Sequence, residues 1–275
     1  MKDKVLYYPN NLAGGHRMLY YARELNLDWT NDPQEDGITR VHYYAYENET
    51  LHIPKEIAHY DNIINCKCLN IKKDYIDDKF KEVFGYSIRI DPTTHRGMCV
   101  KKTTQNAVHN AKIIECPIGA HLVDVMPRYS MSGTEHTVMY QKMIDTRRSN
   151  LEIRDFRFVV MGYQPVFLFE KLMDTQSFSH VKKDGFLRTY GYQPSQFNMF
   201  FSEDEINKIK EFIIRCGYDF VEIDVLRDNS TGLIYIIDAN PVPGGGIFQS
   251  MHDGEYTIEY LSNKYKETYL RDAHE

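Results

Sequence analysis

The chain has 275 residues, of which 42% are hydrophobic and 26% charged, and its formal net charge is −6. This is the composition of a globular protein, so extensive disorder is not expected. Acidic and basic residues are mixed along the chain without a long basic stripe, which argues against nucleic acid as a partner. No apolar run reaches the roughly 20 residues of a membrane span, and the first residues are too polar for a signal peptide. We therefore expect a soluble cytoplasmic protein with no nucleic-acid or membrane partner.

The cysteines and tyrosines say less about function. The five cysteines are an odd number without framework spacing, which suits a reducing compartment. Cys66 and Cys68 have the spacing that begins some metal sites, but no second Cys or His pair follows nearby, so buried thiols are the favoured interpretation. The 21 tyrosines leave room for a homodimer interface.

Strand and helix patterns alternate in the first 90 residues. Apolar runs predict strands at residues 5–8, 41–46 and 62–65. Helical spacing predicts helices at residues 16–25, after Gly14 and Gly15, and at residues 74–84, where Gly85 ends the helix. This alternation is typical of a small α/β unit.

From Arg89 onward the pattern is dominated by strands. Strands are predicted at residues 97–102, 111–116, 137–144, 156–161, 165–169, 220–226 and 233–239. Two helices are predicted, at residues 203–216, where Ser202 begins a capping box, and at residues 257–270. Short turns between successive strands indicate antiparallel pairs, so we expect an α+β body rather than a doubly wound sheet.

The last two strands carry acidic residues at an end of apolar runs. The even-numbered residues of the second strand share one face: Ile234, Ile236, Asp238 and Asn240. Asp224 on the first strand faces this end if the two strands are staggered. Crowded carboxylates are costly unless a cation lies among them, and oxygen ligands of this kind suit Mg²⁺. The alternative is that Asp238, Asn240 and Pro241 only turn the chain.

This arrangement resembles the ATP-grasp family, whose last strands carry an Asp, a turn, and then acid-x-Asn followed by Pro-Gly. Here the pattern reads Asp224, then Asp238-Ala-Asn240-Pro-Val-Pro-Gly244. The resemblance implies that Asp224, Asp238 and Asn240 bind the Mg²⁺ ions that bridge the ATP phosphates. Asp238 stands where relatives usually have Glu.

Upstream segments resemble the nucleotide-binding pieces of the same family in the same order. Lys101, with Lys102 as the alternative, and Lys79 resemble the phosphate-binding lysines. The loop at residues 103–110 lacks the family's glycines. The segment Gln141, Lys142, Met143 and Ile144 resembles the hinge that binds adenine, and Asp145 or Glu152 would bind the ribose.

Two basic residues resemble the family's catalytic cations. Arg157, in Asp155-Phe-Arg157, would hold a phosphate or the substrate carboxylate, and Lys171 would steady the transferring phosphoryl group. The glycines after Asn240, Gly244 and Gly245 among them, would line the acceptor site.

The resemblance implies an α+β, ATP-grasp fold in which two antiparallel-sheet subdomains enclose ATP. We expect a small N-terminal α/β unit at residues 1–90, a lid subdomain at 91–145 and a metal- and phosphate-binding subdomain at 146–275. The expected activity is an ATP- and Mg²⁺-dependent ligase that joins a small-molecule or peptide carboxylate to an amine through an acyl phosphate. The alternatives are a kinase of the same fold and an inactive nucleotide-binding protein.

Overall fold

The computed structural model describes residues 3–9, 12, 15–44, 52–68, 70–106, 110–124, 128–129, 135–149, 152–174 and 186–270. The four α-helices in these ranges are α1 (Arg17–Glu24), α2 (Lys73–Phe84), α3 (Glu203–Cys216) and α4 (Gly254–Tyr265). The strands are β1 (Lys4–Pro9), β2 (Asp28–Thr30), β3 (Arg40–Tyr44), β4 (Ile63–Ile64), β5 (Gly97–Thr103), β6 (Lys112–Cys116), β7 (Arg128–Tyr129), β8 (Glu135–His136), β9 (Val138–Lys142), β10 (Glu152–Met161), β11 (Gln164–Asp174), β12 (Phe186–Tyr192), β13 (Phe220–Arg227) and β14 (Ile234–Asn240).

The N-terminal strands form a parallel sheet in the order β2-β1-β3-β4. The predicted strands at residues 5–8, 41–46 and 62–65 correspond to β1, β3 and β4, although residues 45–46 lie outside the described ranges. The strand–helix–strand order of the predicted small α/β unit is confirmed. Strand β2, which is three residues long and begins with an aspartate, was not predicted.

The three-stranded sheet β6-β5-β9 is antiparallel and follows the N-terminal sheet along the chain. Its strands cover most of the residues predicted as strands at 97–102, 111–116 and 137–144. The last strand ends at Lys142, so residues 143–144 lie beyond it in the connection to β10.

The five-stranded sheet β12-β11-β10-β13-β14 is antiparallel throughout and forms the centre of the molecule. One of its faces packs against α2 and α3, with a core that includes Phe156, Phe158, Phe80, Ile209 and Phe212. The other face packs against α1 and α4, with a core that includes Phe167, Phe169, Met18, Tyr21, Leu261 and Tyr265. The predicted α+β body with antiparallel pairs is confirmed, while β12 was not predicted.

Local sequence determines the ends of α3. The Ser202 hydroxyl accepts a hydrogen bond from the Glu205 backbone N–H, and the Glu205 carboxylate accepts one from the Ser202 N–H at 2.8 Å. This is the predicted capping box. The helix ends at Gly217, whose φ of 68° is the left-handed conformation that glycine adopts without strain.

The three units predicted at residues 1–90, 91–145 and 146–275 remain predictions. Helix α2, inside the first predicted range, packs on the five-stranded sheet together with α3. The predicted last helix at 257–270 is α4, which ends at Tyr265 and continues as a wider π-type turn at Lys266–Leu270. Among the described residues, no helix combines the length and the apolar character that crossing a membrane requires.

Candidate active site

Five polar side chains share one face of the five-stranded sheet. Arg157 on β10 lies directly opposite Asp224 on β13, which lies directly opposite Asp238 on β14. Glu222 on β13 lies opposite Asn240 on β14. Because residues opposite one another on neighbouring strands point to the same face, the sheet brings these side chains together.

A β-bulge between β13 and β14 sets this arrangement. Asp224 pairs with Asp238, but the next residue, Val225, pairs with Ile236, so Ile237 is the extra residue. Ile236 therefore points into the core with α2 and α3. The prediction that Ile236 shares a face with Asp238 was wrong, and Asp224 reaches Asp238 directly rather than by a stagger.

Arg157 and Lys171 converge on Asp224. The Arg157 guanidinium donates from Nε and Nη2 to the two carboxylate oxygens at 2.6 and 2.8 Å, and Lys171 Nζ donates to Oδ1 at 3.1 Å. Burial alone would raise the pKa of Asp224, but the two cations outweigh it and hold the pKa below its ordinary value. The structure thus brings Arg157, Lys171 and Asp224 together, and the roles that the resemblance implies for them stay predictions.

Lys73, at the start of α2, approaches Asp238. Its ammonium donates to Asp238 Oδ1 at 3.0 Å and to Asn106 Oδ1 at 3.1 Å. The Asn106 amide in turn donates to the Ala239 carbonyl at 2.9 Å. The end of β14, the start of α2 and the loop after β5 therefore meet at one point. Residues 107–109 of that loop lie outside the described ranges.

Lys79 lies elsewhere on α2. Its ammonium contacts both carboxylate oxygens of Glu82, at 2.8 and 3.0 Å. Six residues correspond to 1.7 turns of an α-helix, so Lys79 and Lys73 point in different directions. The structure does not bring Lys79 to the cluster, and it is Lys73 that occupies a position suited to phosphate binding.

Strand alternation separates Lys101 from Lys102. Lys102 lies opposite Met139, which packs in the core on the α2 and α3 face of the five-stranded sheet. Lys101 lies opposite Tyr140 on the other face of the three-stranded sheet, and its ammonium is 3.5 Å from the Asp124 carboxylate. Of the two lysines, Lys102 is the one near the carboxylate cluster, because the charges of Asp238 and Asp224 act on its ammonium.

The ammonium of Lys102 is in a strongly desolvated position. Burial, together with the nearby ammonium of Lys73, lowers its pKa to about 8, against the opposing effect of Asp238 and Asp224. Two cations are thus close enough to repel each other, near the same carboxylates. Such a pair is suited to an anionic ligand, because a phosphate relieves their mutual repulsion.

A cavity of about 530 Å³ opens between β5, β10 and the segment after β9. Its lining includes Met98 of β5, Ile153 of β10, and Met143, Ile144 and Asp145 of the connecting segment. The cavity is mostly apolar with Asp145 and Arg147 at its side, and its size is in the range of small-ligand sites. The structure thus brings Met143 and Ile144 into a concave site.

The neighbouring hinge residues have other partners. Gln141 is buried, and its amide nitrogen lies 3.5 Å from the Met139 sulfur. The Lys142 backbone N–H donates to the Ile88 carbonyl at 2.9 Å, and its ammonium pairs with the buried carboxylate of Asp228. The side chain of Lys142 therefore holds the hinge to the turn between β13 and β14. Adenine binding by Gln141 and Lys142 stays a prediction.

Of the two predicted ribose ligands, one lines the cavity. Asp145 is part of its wall and accepts two hydrogen bonds from the Arg147 guanidinium, at 2.8 and 2.7 Å. Glu152 instead accepts from Arg188 at 2.6 Å. The geometry therefore favours Asp145.

The glycines after Asn240 lie against the start of α1. Gly244 forms an isolated antiparallel bridge with His16, and the Gly245 N–H donates to the Gly15 carbonyl at 2.6 Å. A Cβ on Gly245 would lie 2.2 Å from the Tyr20 ring, whereas one on Gly244 would meet nothing closer than 3.7 Å. Gly245 therefore packs against α1, and Gly244 is exposed.

The predicted metal ligands fit Mg²⁺ by their chemistry. Among the described residues, no group of three His, Cys, Asp or Glu is placed to hold a metal ion. Asp224, Asp238 and Asn240 instead offer two carboxylates and an amide oxygen, the hard ligands that Mg²⁺ takes together with water and phosphate oxygens. The Asn240 amide oxygen accepts from the Val242 N–H at 3.0 Å, which fixes its orientation.

Sequence reasoning missed two cations of the site, Arg17 and Lys73. Arg17 begins α1, is fully buried and pairs with Glu222. Each cation reaches its carboxylate partner across more than 160 residues of chain. No local signal in the sequence marks such a contact. For Lys73, its place at the start of a predicted helix was the only available indication.

The sequence matches no known protein-family profile, and no curated protein sequence matches it significantly. Solved structures do match. The ATP-grasp ligase PsnB, complexed with a phosphomimetic variant of a minimal precursor, Mg and ADP, aligns with a TM-score of 0.63 at 11% identity, over 97% of this chain and 98% of that one.

Two further structures have the same architecture. D-alanine–D-alanine ligase from Bacillus anthracis, complexed with ATP, aligns with a TM-score of 0.53 at 10% identity, over 98% of this chain and 97% of that one. A RiPP-associated ATP-grasp ligase from Chryseobacterium gregarium, in complex with ADP and a leader and core peptide, aligns with a TM-score of 0.51 at 12% identity, over 96% and 97%. At these identities the likeness concerns the fold.

Proposed function

The chain has the ATP-grasp fold, and from this premise we propose that it is a Mg²⁺- and ATP-dependent carboxylate–amine ligase. One observation carries the proposal: Arg157 and Lys171 converge on Asp224, directly opposite Asp238, which Lys73 approaches. A metal–triphosphate ligand needs this alternation of cations and oxygen ligands, because phosphoryl transfer depends on positioning and charge neutralisation.

ATP would lie between the three-stranded and five-stranded sheets. Adenine would enter the apolar cavity against Met143 and Ile144, and Asp145 in its wall would accept a hydrogen bond from the ribose. Lys102 and Lys73 would donate to the phosphates. The ammonium of Lys73 contacts Asp238, and the charges of Lys73, Asp238 and Asp224 act on the ammonium of Lys102.

Asp224, Asp238 and Asn240 would hold Mg²⁺, which supplies charge neutralisation and polarises the phosphate oxygens when bound. Arg157 presents a planar fork of donors, so it can contact Asp224 and a phosphate oxygen together. Lys171, buried beside it, would donate to the γ-phosphoryl oxygens. Both residues would stabilise the charge that spreads over those oxygens as the group transfers.

The reaction would proceed in two steps. A carboxylate oxygen of the substrate attacks the γ-phosphorus, and the bond to the bridging oxygen breaks, so ADP leaves with that electron pair. An amine then attacks the acyl phosphate carbon and loses a proton, while phosphate leaves with the former carboxylate oxygen. The exposed segment at Gly244 would line the acceptor side, and Gly245 would contribute only through its backbone.

For the substrate we propose a carboxylate carried by a peptide. Of two solved structures with this fold, PsnB is complexed with a variant of a minimal precursor, and the Chryseobacterium gregarium protein with a leader and core peptide. The glycine segment, residues 244–246, is exposed at Gly244 and Gly246, where a chain-like substrate can approach.

The test uses peptides that contain Asp or Glu and Lys, with ¹⁸O in the side-chain carboxylates, incubated with ATP and Mg²⁺. The proposal predicts an amide product that has lost one water and inorganic phosphate that carries one ¹⁸O. A stable phosphorylated product without amide would establish the kinase instead. Nucleotide binding without turnover over a broad peptide library would favour the binding protein.

The acceptor side is tested by a bulky residue in the glycine segment. Gly246 has open space around its α-carbon, so Gly246→Val adds bulk without a clash inside the fold. It should reduce amide formation and leave ATP binding intact. Gly245→Val is the contrasting variant, because its Cβ would meet Tyr20 and displace α1.

A further inference from the structure

Arg17 is a fully buried arginine at the first position of α1. Its guanidinium lies over the rings of Phe169 and Phe248, 5.1 and 5.0 Å from their centres. Burial lowers its pKa to about 10, so the side chain remains charged at neutral pH. A buried charge of this kind needs partners, since its desolvation is costly.

The partners of Arg17 join two parts of the proposed site. Its Nη1 pairs with the Glu222 carboxylate, and its Nη2 donates to the Gly244 carbonyl at 3.2 Å. Its backbone N–H donates to the Pro243 carbonyl at 2.9 Å. One residue of the N-terminal unit therefore contacts both the five-stranded sheet and the glycine segment.

Glu222 continues the chain of contacts toward the reacting groups. It is buried, and its second carboxylate oxygen lies 3.3 Å from Arg157 Nη1. The remaining edge of the Arg157 guanidinium, Nε and Nη2, contacts Asp224. A planar guanidinium held by two carboxylates on different edges has a fixed orientation. Glu222 thus sets the rotation of Arg157 within the site.

We propose that Arg17 is a positioning residue, which orients Arg157 through Glu222 and couples that orientation to the Pro243–Gly244 segment. This inference rests on the proposed function, in which Arg157 faces the γ-phosphate and the glycine segment faces the acceptor. Arg17 itself touches neither ATP nor substrate.

The coupling follows from charge. With Arg17 present, Glu222 is shared between two guanidinium groups. Without Arg17, a buried carboxylate is left with Arg157 alone, and the attraction draws Arg157 from Asp224 toward Glu222. The contact of Arg157 with the terminal phosphate should then weaken, while the contacts of ADP, which lacks that phosphate, should remain.

The experiment measures binding of ADP and of a non-hydrolysable ATP analogue, both with Mg²⁺, by isothermal titration calorimetry. The variants are Arg17→Met, Glu222→Gln and the double variant, and Arg23→Met on the exposed side of α1 is the matched control. We expect Arg17→Met to lose about tenfold of the preference for the analogue over ADP and to bind ADP as the wild type does. The double variant should be no worse than either single variant, because both residues act through one chain of contacts.

Two results would overturn the inference: a folded Arg17→Met protein with an unchanged preference, or losses that add in the double variant. A lower unfolding midpoint with an unchanged preference would show a structural role only. If Arg17→Met does not fold, the preference for the analogue over ADP is measured on Arg17→Lys and Glu222→Gln instead, since these variants retain most of the side-chain shape.

A second readout is independent of nucleotide. The Nε–H NMR signal of Arg157, assigned by its loss in Arg157→Lys, reports the hydrogen bond to Asp224. In Arg17→Met this proton should exchange faster with water, and an unchanged exchange rate would overturn the positioning role. A wild-type protein that binds no nucleotide would instead refute the proposed function, and the NMR comparison would still decide the role of Arg17.

Discussion

Asp238→Asn is the substitution that best separates metal binding from stability. Asp238 forms an ion pair with Lys73 at 3.0 Å, and its side chain is 31% exposed. The loss of such a pair costs about 1 kcal/mol or less of the free energy of unfolding. Asp224 is only 16% exposed and has contacts to two cations, so its replacement would disturb the fold more.

If Asp238 is a metal ligand, its replacement should affect ATP binding differently in the absence and in the presence of Mg²⁺. Without Mg²⁺, Asp238→Asn should bind ATP no more weakly than the wild type, because one negative charge near the phosphates is gone. With Mg²⁺, the variant should gain little affinity, and turnover should fall on the order of a hundredfold or more, since a metal ligand contributes several kcal/mol to charge stabilisation.

The assay is a thermal-shift titration of Mg²⁺ at fixed ATP, in which the ligand raises the melting temperature through its binding to the folded state. Lys73→Met is the matched variant: it removes the other half of the pair and should weaken ATP binding both with and without Mg²⁺. An Asp238→Asn protein that responds to Mg²⁺ as the wild type does would refute the metal assignment.

Three further predictions follow from the structure. Lys102→Met should reduce the thermal shift by ATP more than Lys101→Met does. Because burial lowers the pKa of Lys102 to about 8, ATP binding above pH 8 should be accompanied by uptake of a proton. Calorimetry in buffers of different ionisation enthalpy measures this uptake. Burial lowers the pKa of His42 to about 3, below its value of about 6.5 in the unfolded chain. The free energy of unfolding should therefore fall as the pH falls from 6.5 toward 3, by at most about 1.4 kcal/mol per pH unit. His42→Gln should make the urea midpoint depend less on pH in this range. Ser202→Ala removes the cap of α3 and should cost about 1 kcal/mol in urea unfolding, with Mg²⁺-dependent ATP binding unchanged; a cost near zero would contradict the role of the capping box.

Local signals predicted the elements that local chemistry determines. The capping box at Ser202 and the glycines at 85 and 217 mark real helix ends, and alternation gave the strands on which Arg157 and Asp224 lie. The short strand β2 escaped prediction because its three residues form a strand only beside β1.

The site was predictable where its residues belong to one strand pair, and not where distant segments meet. The bulge at Ile237 depends on how β14 packs, so the sequence pattern alone gave the wrong face for Ile236. Lys73 and Arg17 reach the cluster from helices that the sequence places far upstream. Which of two adjacent lysines faces the site depends on how the strand that carries them lies against the rest of the molecule, and it is Lys102 that comes near Asp238 and Asp224.

A crystal structure with a non-hydrolysable ATP analogue and Mn²⁺ in place of Mg²⁺ tests the central claim most directly. The account predicts anomalous density for the metal between Asp224, Asp238 and Asn240, with adenine in the cavity beside Met143 and phosphates within hydrogen-bond reach of Lys102. A nucleotide bound elsewhere, or one bound there without metal density at saturating Mn²⁺, would contradict it.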